Sequence, residues 1–315
     1  MLAGLGGALR GQDIHFSQLD ASPLLLNPAY AGFFEGTGRF GLLYRNQWVT
    51  VSQPYQTFAF SAEWGAWRSP QHNRGVSVGV TLFNDQAGTL HYGTTSGHLS
   101  VAYYHSLGGR GSNILSLGLE GGYAVSGFDP SQAEMEDASE LFDKQRVSYP
   151  LLSAGVAWYG QFTGDFHVKV GLSVRNINRP NISYMQLDDA YIEQRYSLFA
   201  RAEYRAWSSM SLLPVLLVQL QPNYREVVYG ADVKWYIEEG MRQQVSLRAG
   251  LACRHGDAII ANVMMEYNAF LFHFCYDANV SQLSSASRYI GAFEGGIVYR
   301  LAPTGRPKKI KCPVF

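Results

Sequence analysis

The sequence is poor in charge, in cysteine and in long apolar runs, and each shortage removes a class of protein. Only 16% of its 315 residues are charged, against roughly 25% in ordinary soluble domains. The 25 basic and 25 acidic residues cancel to a formal net charge of +0, so the basic field that a nucleic-acid partner requires is missing. Cysteine is limited to Cys253, Cys275 and Cys312. An odd number without CxxC spacing gives neither a disulfide framework nor a zinc site, although a single Cys253–Cys275 bridge is open to the chain. No stretch approaches the run of about 20 apolar residues that a membrane-spanning helix needs; the longest candidates are residues 1–9 and 212–218.

Catalytic motifs are absent as well. There is no HExxH and no phosphate-cradling GxxxxGK[ST], and the eight histidines are scattered. His91, His98 and His105 recur at intervals of seven, but on a strand an odd interval switches faces each time, so each is read as an isolated polar residue. The expectation is a protein that is not an enzyme and has no catalytic, cofactor or metal site.

What the chain does have is aromatic residues (14%, with 20 Tyr), 33 Gly and alternation. In 166–175, Phe166, Val168, Val170, Leu172 and Val174 face one way, while His167, Lys169, Gly171, Ser173 and Arg175 face the other. A helix with that order would carry charge all round. The same period recurs in segments 38–49, 55–64, 74–83, 94–106, 114–128, 148–159, 166–175, 193–206, 210–221, 226–237, 243–254, 258–267, 269–278 and 289–301. About fourteen amphipathic strands with an apolar outer face must close on themselves, because lipid offers no partner to an open edge. The fold class expected is therefore all-β, a closed antiparallel transmembrane barrel of the outer membrane spanning residues 36–302. A soluble barrel would place Lys, Glu and Thr on its polar face, whereas here that face is rich in Gly, Ser and Ala with isolated charges.

Those inward charges are of both signs, with Arg45, Glu120, Arg201, Glu203, Arg248, Glu294 and Arg300 as the candidate lumen network. Mixed signs can pair and stiffen a filled interior, whereas a ring of one sign would select ions. Residues 1–11 read as a signal-peptide remnant. Residues 12–35, apolar, Pro-containing and non-alternating, form a non-barrel segment suited to plug the lumen, and Pro23, Asn27-Pro28 and Gly32 suit a compact fold in the periplasmic mouth. The turns read as alternately tight and long. From a periplasmic start, the long loops after strands five, seven and thirteen fall outside the cell.

The run QDIHFSQLDASPLLLNPAYAGFFEGTGRFGLLYRNQW at 12–48, the stretch GAFEGGIVYRL at 291–301 and the closing KCPVF at 311–315 resemble the PorP/SprF family of type IX secretion system outer-membrane proteins. That resemblance spans essentially the whole chain. It implies a barrel needed for export or surface anchoring of secreted proteins and, in gliding relatives, of adhesins, working with periplasmic secretion or peptidoglycan-binding proteins. Outer-membrane lipid and secreted cargo complete the expected partners, and a porin-like channel for small solutes is the alternative. The residues matching the opening motif, His15, Phe16, Asn27, Pro28 and Gly32, are candidates for partner binding. So are Arg306, Lys308, Lys309, Cys312, Pro313 and Phe315 in the basic tail 303–315, which leaves the last strand on the periplasmic side.

The face assignment is directly testable. Val170→Arg or Leu247→Arg, at mid-strand on the lipid face, should each cost about 2–4 kcal/mol of barrel stability. The measurement is urea unfolding of protein refolded into vesicles. Wild-type stability in both variants would invert the assignment.

Overall fold

A computed structural model describes residues 16–17, 19–34, 36–47, 55–69, 74–87, 92–107, 112–128, 146–184, 190–239, 243–281 and 290–301. Fourteen strands follow one another in this order: β1 (Gly38–Gln47), β2 (Tyr55–Ser69), β3 (Arg74–Ala87), β4 (Tyr92–Ser106), β5 (Asn113–Gly127), β6 (Arg146–Gln161), β7 (Phe166–Arg175), β8 (Arg195–Trp207), β9 (Met210–Gln221), β10 (Tyr224–Glu239), β11 (Gln244–Arg254), β12 (Ala258–Tyr267), β13 (Phe270–Asn279) and β14 (Ile290–Leu301). Each pairs antiparallel with its sequence neighbours, and β1 closes the barrel on β14 from Gly38↔Leu301 to Gln47↔Ala292. The barrel has a near end, where β1 begins and β14 finishes, and a far end.

Period-two sequence becomes period-two burial. In β12, Ala258, Ile260, Asn262, Met264 and Glu266 are buried while Ile259, Ala261, Val263, Met265 and Tyr267 are exposed. The exposed set faces outward and is apolar; the inner set around the barrel carries Arg45, Glu63, Glu120, Arg248 and Glu294, each no more than 5% exposed. This is the inverse of a soluble protein, as a wall in contact with hydrocarbon demands.

Outward aromatic residues gather toward both ends: Trp64, Trp67, Trp158, Trp207 and Trp235, with Tyr103, Tyr204, Tyr267 and Tyr299, lie toward the near end, and Tyr55, Tyr92, Tyr123, Tyr196, Tyr229 and Tyr276 toward the far end. These two girdles mark the lipid boundaries. Several strands outrun the alternating segments of the sequence, among them β2, which continues past Trp64 to Ser69, and β3, which continues past Phe83 to Ala87. The extensions carry Arg68, Asn84, Asp85 and Gln86. Beyond the hydrocarbon the ladder no longer needs an apolar outer face, and so alternation stops before pairing does. A bulge between Gly65 and Trp67 marks the change in β2.

One sequence expectation is corrected, and one possibility left open is closed. Turns do not alternate strictly between tight and long: the far-end links after β9 (222–223) and β11 (255–257) are also tight, the latter through Gly256 at φ +73. Cys253 and Cys275 form no bridge, and both are free thiols. Cys253 pairs with Tyr229 and Ile259 on the outward row, whereas Cys275 is fully buried on the inner face, so the wall itself separates them.

Candidate functional site

The lumen and the chain segment it holds form the site. Residues 16–17 and 19–34 lie against the inner wall, with Leu24, Ala29, Tyr30 and Ala31 fully buried. Two short 3₁₀ turns, Pro23–Leu25 and Pro28–Tyr30, give the segment its shape, each opened by a proline whose fixed φ suits the first helical position. The segment runs antiparallel to β1. Ser17 is level with Arg45, Arg254, Asp277 and Glu294 toward the far end, and at the near end the Thr37 N–H donates to the Leu301 carbonyl at 3.0 Å.

Asn27 is the central anchor. Its Oδ1 accepts from the Ala29 N–H at 2.8 Å, capping the second turn, while its Nδ2 donates to the carbonyls of Val156 on β6 and Leu172 on β7, both at 3.0 Å. One amide thus ties the segment to two adjacent strands. The approach is possible because the wall lacks side chains there. A Cβ on Gly155 would stand 2.0 Å from Asn27 Oδ1, one on Gly118 2.3 Å from the Ala29 nitrogen, and one on Gly171 2.2 Å from the Tyr30 hydroxyl. Hydroxyls finish the seat, with Ser116 donating to the Ala29 carbonyl at 2.8 Å and Ser173 to the Leu26 carbonyl at 2.7 Å.

Electrostatics fix both ends of the segment. Asp20 lies 3.0 Å from Arg201 and 2.7 Å from Arg248, and Arg201 also meets Asp232 at 2.9 Å. Farther up, the Ser17 N–H donates to Glu294 and its hydroxyl to Asp277, both at 2.7 Å, while Arg45 and Arg254 donate to Ser17 Oγ at 2.9 and 2.6 Å. Arg45 pairs with Glu294 and Asp277, and Arg254 with Asp277. On another arc, Arg175 bridges Glu120 at 3.0 Å and the Leu25 carbonyl at 2.9 Å. Gly32, held at φ +77, donates its N–H to Glu63 at 3.1 Å, and Glu63 also accepts from Arg39. Aromatic packing joins these contacts: Tyr30 meets Phe33 and Phe199 edge-on at 6.0 Å each, with Lys169 Nζ 4.1 Å from the centre of its ring.

The far mouth is narrowed by the β7–β8 connection, in which Ile182 and Ile192 pack on inward-facing Ala124, Tyr149 and Leu151. Most of the loops after β5 and β13 lie outside the described residues.

Of the sequence-derived lumen network, Arg45 and Glu294 meet directly, Arg201 and Arg248 share Asp20, and Glu120 pairs with Arg175. Glu203 accepts from the Tyr236 hydroxyl, and Arg300 pairs with Glu266, which also meets Lys234 at 3.2 Å. The seven residues therefore make separate clusters at different heights. Phe16 packs on Ala21, Leu43 and Ala59, while Asn27, Pro28 and Gly32 are buried inside the barrel. The segment as a whole is not confined to the near mouth, since Ser17 reaches the far-end level. His15, Arg306, Lys308, Lys309, Cys312, Pro313 and Phe315 lie outside the described residues. His98 is not isolated: buried in the lumen, it stands 3.4 Å from Glu120 and 2.8 Å from the Ser96 hydroxyl. His105 faces outward and His91 lies outside the described residues.

Sequence reasoning missed Ser17, Asp20, Arg175, Arg254 and Asp277 as network members. For the last three a signal existed, since they hold inward positions at strand ends. For Ser17 and Asp20 none did, because a segment without period does not announce which way its side chains point. Among the described residues no group of three or more His, Cys, Asp or Glu could hold a metal ion.

Two solved barrels share the architecture. The toluene transporter TodX of P. putida superposes with a TM-score of 0.52 at 8% identity, covering 90% of this chain and 94% of that one. The toluene transporter TbuX of Ralstonia pickettii gives 0.51 at 10% identity, covering 89% and 92%. Identities this low establish the fold alone. No curated protein matches the chain. The sequence model of the family described as type IX secretion system membrane protein PorP/SprF matches residues 8–299.

Asn27→Ala should release the segment while leaving the wall paired. Three hydrogen bonds are lost, about 2–4 kcal/mol of local stability in sum. Limited proteolysis of folded protein in detergent should then cut within residues 16–34 of the variant and spare the wild type. Equal resistance would show that the other contacts hold the segment unaided.

Proposed function

Because the chain belongs to the PorP/SprF family of type IX secretion system membrane proteins, we propose that it serves that system as a plugged outer-membrane barrel. In this reading it supports export or surface anchoring of secreted proteins and adhesins without chemistry of its own. The single observation that carries it is the occupied lumen: the segment is stapled to the wall by Asn27 and held in ion pairs by Asp20. Buried pairs of this kind resist rearrangement, since removing one partner leaves the other charge uncompensated at a cost of about 3–5 kcal/mol. A barrel filled in this way offers rigid rims and an outer surface, and so acts by holding partners.

From a periplasmic start of β1, the near end faces the periplasm. Partners that tie the secretion machinery to peptidoglycan then meet the near-end turns and the basic tail 303–315. Cargo or adhesin meets the far-end loops, including the connection bearing Ile182 and Ile192.

A second reading, a solute channel, is favoured by the shared fold with TodX and TbuX, both named as toluene transporters. Conductance separates the two. In planar bilayers the wild-type protein should be silent and a deletion of residues 12–34 should conduct, whereas steady wild-type conductance supports the channel. Affinity purification from native membranes supplies the other arm: periplasmic proteins should accompany the full chain and be lost on truncation after Leu301. Retention of the same proteins by the truncated chain would remove the tail from the proposed docking surface.

A further inference from the structure

At the near end, the outer face of β2–β4 carries a cation without an anion. Arg74 opens β3 with the parity of Val76, Val78 and Val80, and so points outward. Its cross-strand partners are Ser69 on β2 and His105 on β4. One outward step deeper in the membrane, Val76 stands between Trp67 and Tyr103 of the near girdle. Two residues of strand span about 7 Å. Arg74 therefore lies just past the hydrocarbon boundary, at the depth of lipid headgroups.

Aromatic rings flank the basic pair. The Arg74 guanidinium carbon is 5.9 Å from the centre of the Trp67 ring, and His105 stacks on Tyr103 at 6.4 Å with the planes 15° apart. Other near-end arginines, Arg39, Arg205 and Arg300, each meet a carboxylate. Arg74 meets none among the described residues, and its buried Nε has no hydrogen-bond partner. Arg68 also lacks an acid, but it lies over Gly65, which has the inward parity of Glu63, and so stands on the side of the wall away from lipid. A cation partly withdrawn from water is costly until an anion completes it. A phospholipid phosphate supplies that charge at that depth, and its oxygens match the planar fork of the guanidinium. Deeper in the membrane, exposed Val101, Leu117 and Leu119 offer apolar surface to acyl chains.

We propose that Arg74 and His105, set between Trp67 and Tyr103, bind the phosphate of a diacyl phospholipid whose chains lie along Val101, Leu117 and Leu119. The site rests on the near end facing the periplasm, the side on which an outer membrane presents such lipids. It does not depend on the secretion role.

Native mass spectrometry of the full-length folded protein, released from detergent in the presence of palmitoyl-oleoyl-phosphatidylethanolamine, provides the test. One lipid should remain on the wild type. Arg74→Gln with His105→Gln should lower the bound fraction about tenfold, the loss of one charge-assisted contact. Arg74→Lys, which keeps the charge without the fork, should fall between. Palmitoyl-oleoyl-glycerol, with the same chains and no phosphate, should not be retained. Arg225→Gln, exposed at the far end, should change nothing, and heat-modifiable electrophoretic mobility confirms that each variant is folded. Undiminished retention by the double variant overturns the proposal, and so does equal retention of the phosphate-free lipid. Orientation is read separately: Gly164→Cys, in an exposed near-end turn, should escape a membrane-impermeant maleimide on intact cells. Labelling above the unsubstituted chain would place the near end outside and overturn the phospholipid assignment.

Discussion

A wall that faces hydrocarbon on one side can place its charged side chains only on the other. Alternation then delivers Arg45, Glu63, Glu120, Arg201, Arg248 and Glu294 into an interior too narrow to hydrate them freely, where every charge needs an opposite charge or a hydrogen bond. The remaining organisation of this protein answers that demand. Pairs form along the inner wall between strands that are next but one in the barrel though far apart in sequence, such as Arg45 on β1 with Asp277 on β13, and stiffen the barrel from within. The outer face is left with leucines, valines and two aromatic girdles.

The wall does not complete the pairing by itself, and the segment inside it supplies what is missing. Arg201 and Arg248 face a single wall carboxylate, Asp232, and the segment brings Asp20 to them. Arg45 and Arg254 sit among Asp277, Glu294 and Glu226, where acid is in excess, and there the segment brings donors, the N–H and hydroxyl of Ser17. Glu63, already taken by Arg39, receives the Gly32 N–H on its other oxygen. An acid arrives where the wall is basic and donors arrive where it is acidic. Segment and lumen are therefore complementary in charge as well as shape, and either alone would leave buried polar groups uncompensated.

Much of this was legible in the sequence because the barrel obeys one simple rule. Period two sorts side chains to two faces, and lipid makes the faces so different that segments such as 166–175 reveal both strand and orientation. Strand ends were less legible, since Arg68 or Gln86 can pair in a ladder above the lipid without alternating. The site was half visible. Arg45, Arg201 and Glu294 declare their direction by parity, but parity says nothing of height or neighbours, so one expected network became several clusters. Asp20 and Ser17 carry no periodic signal, and most of their partners, from Arg201 to Glu294, are 181 or more residues away in the chain. Asn27 was noticed as a turn former, which it is. Its larger task, bridging the carbonyls of Val156 and Leu172, follows from tertiary contact with two inward glycines, Gly155 and Gly171, that local pattern cannot pair with it.

The shared architecture with hydrocarbon transporters shows how little the wall alone decides. A closed barrel of fourteen strands is a container, and its use depends on what occupies the lumen and what the rims present. A transporter needs a path whose contacts a solute can exchange one at a time. Here the contacts along the interior are made by the chain itself, with charge-assisted bonds at Ser17 and Asp20 and a backbone staple farther along the segment at Asn27. A solute offering neither charge nor amide could displace them only by leaving Arg201, Arg248 and the Leu172 carbonyl unmatched. The same contacts that fill the lumen tie segment and wall together, and the supporting role proposed above rests on that property.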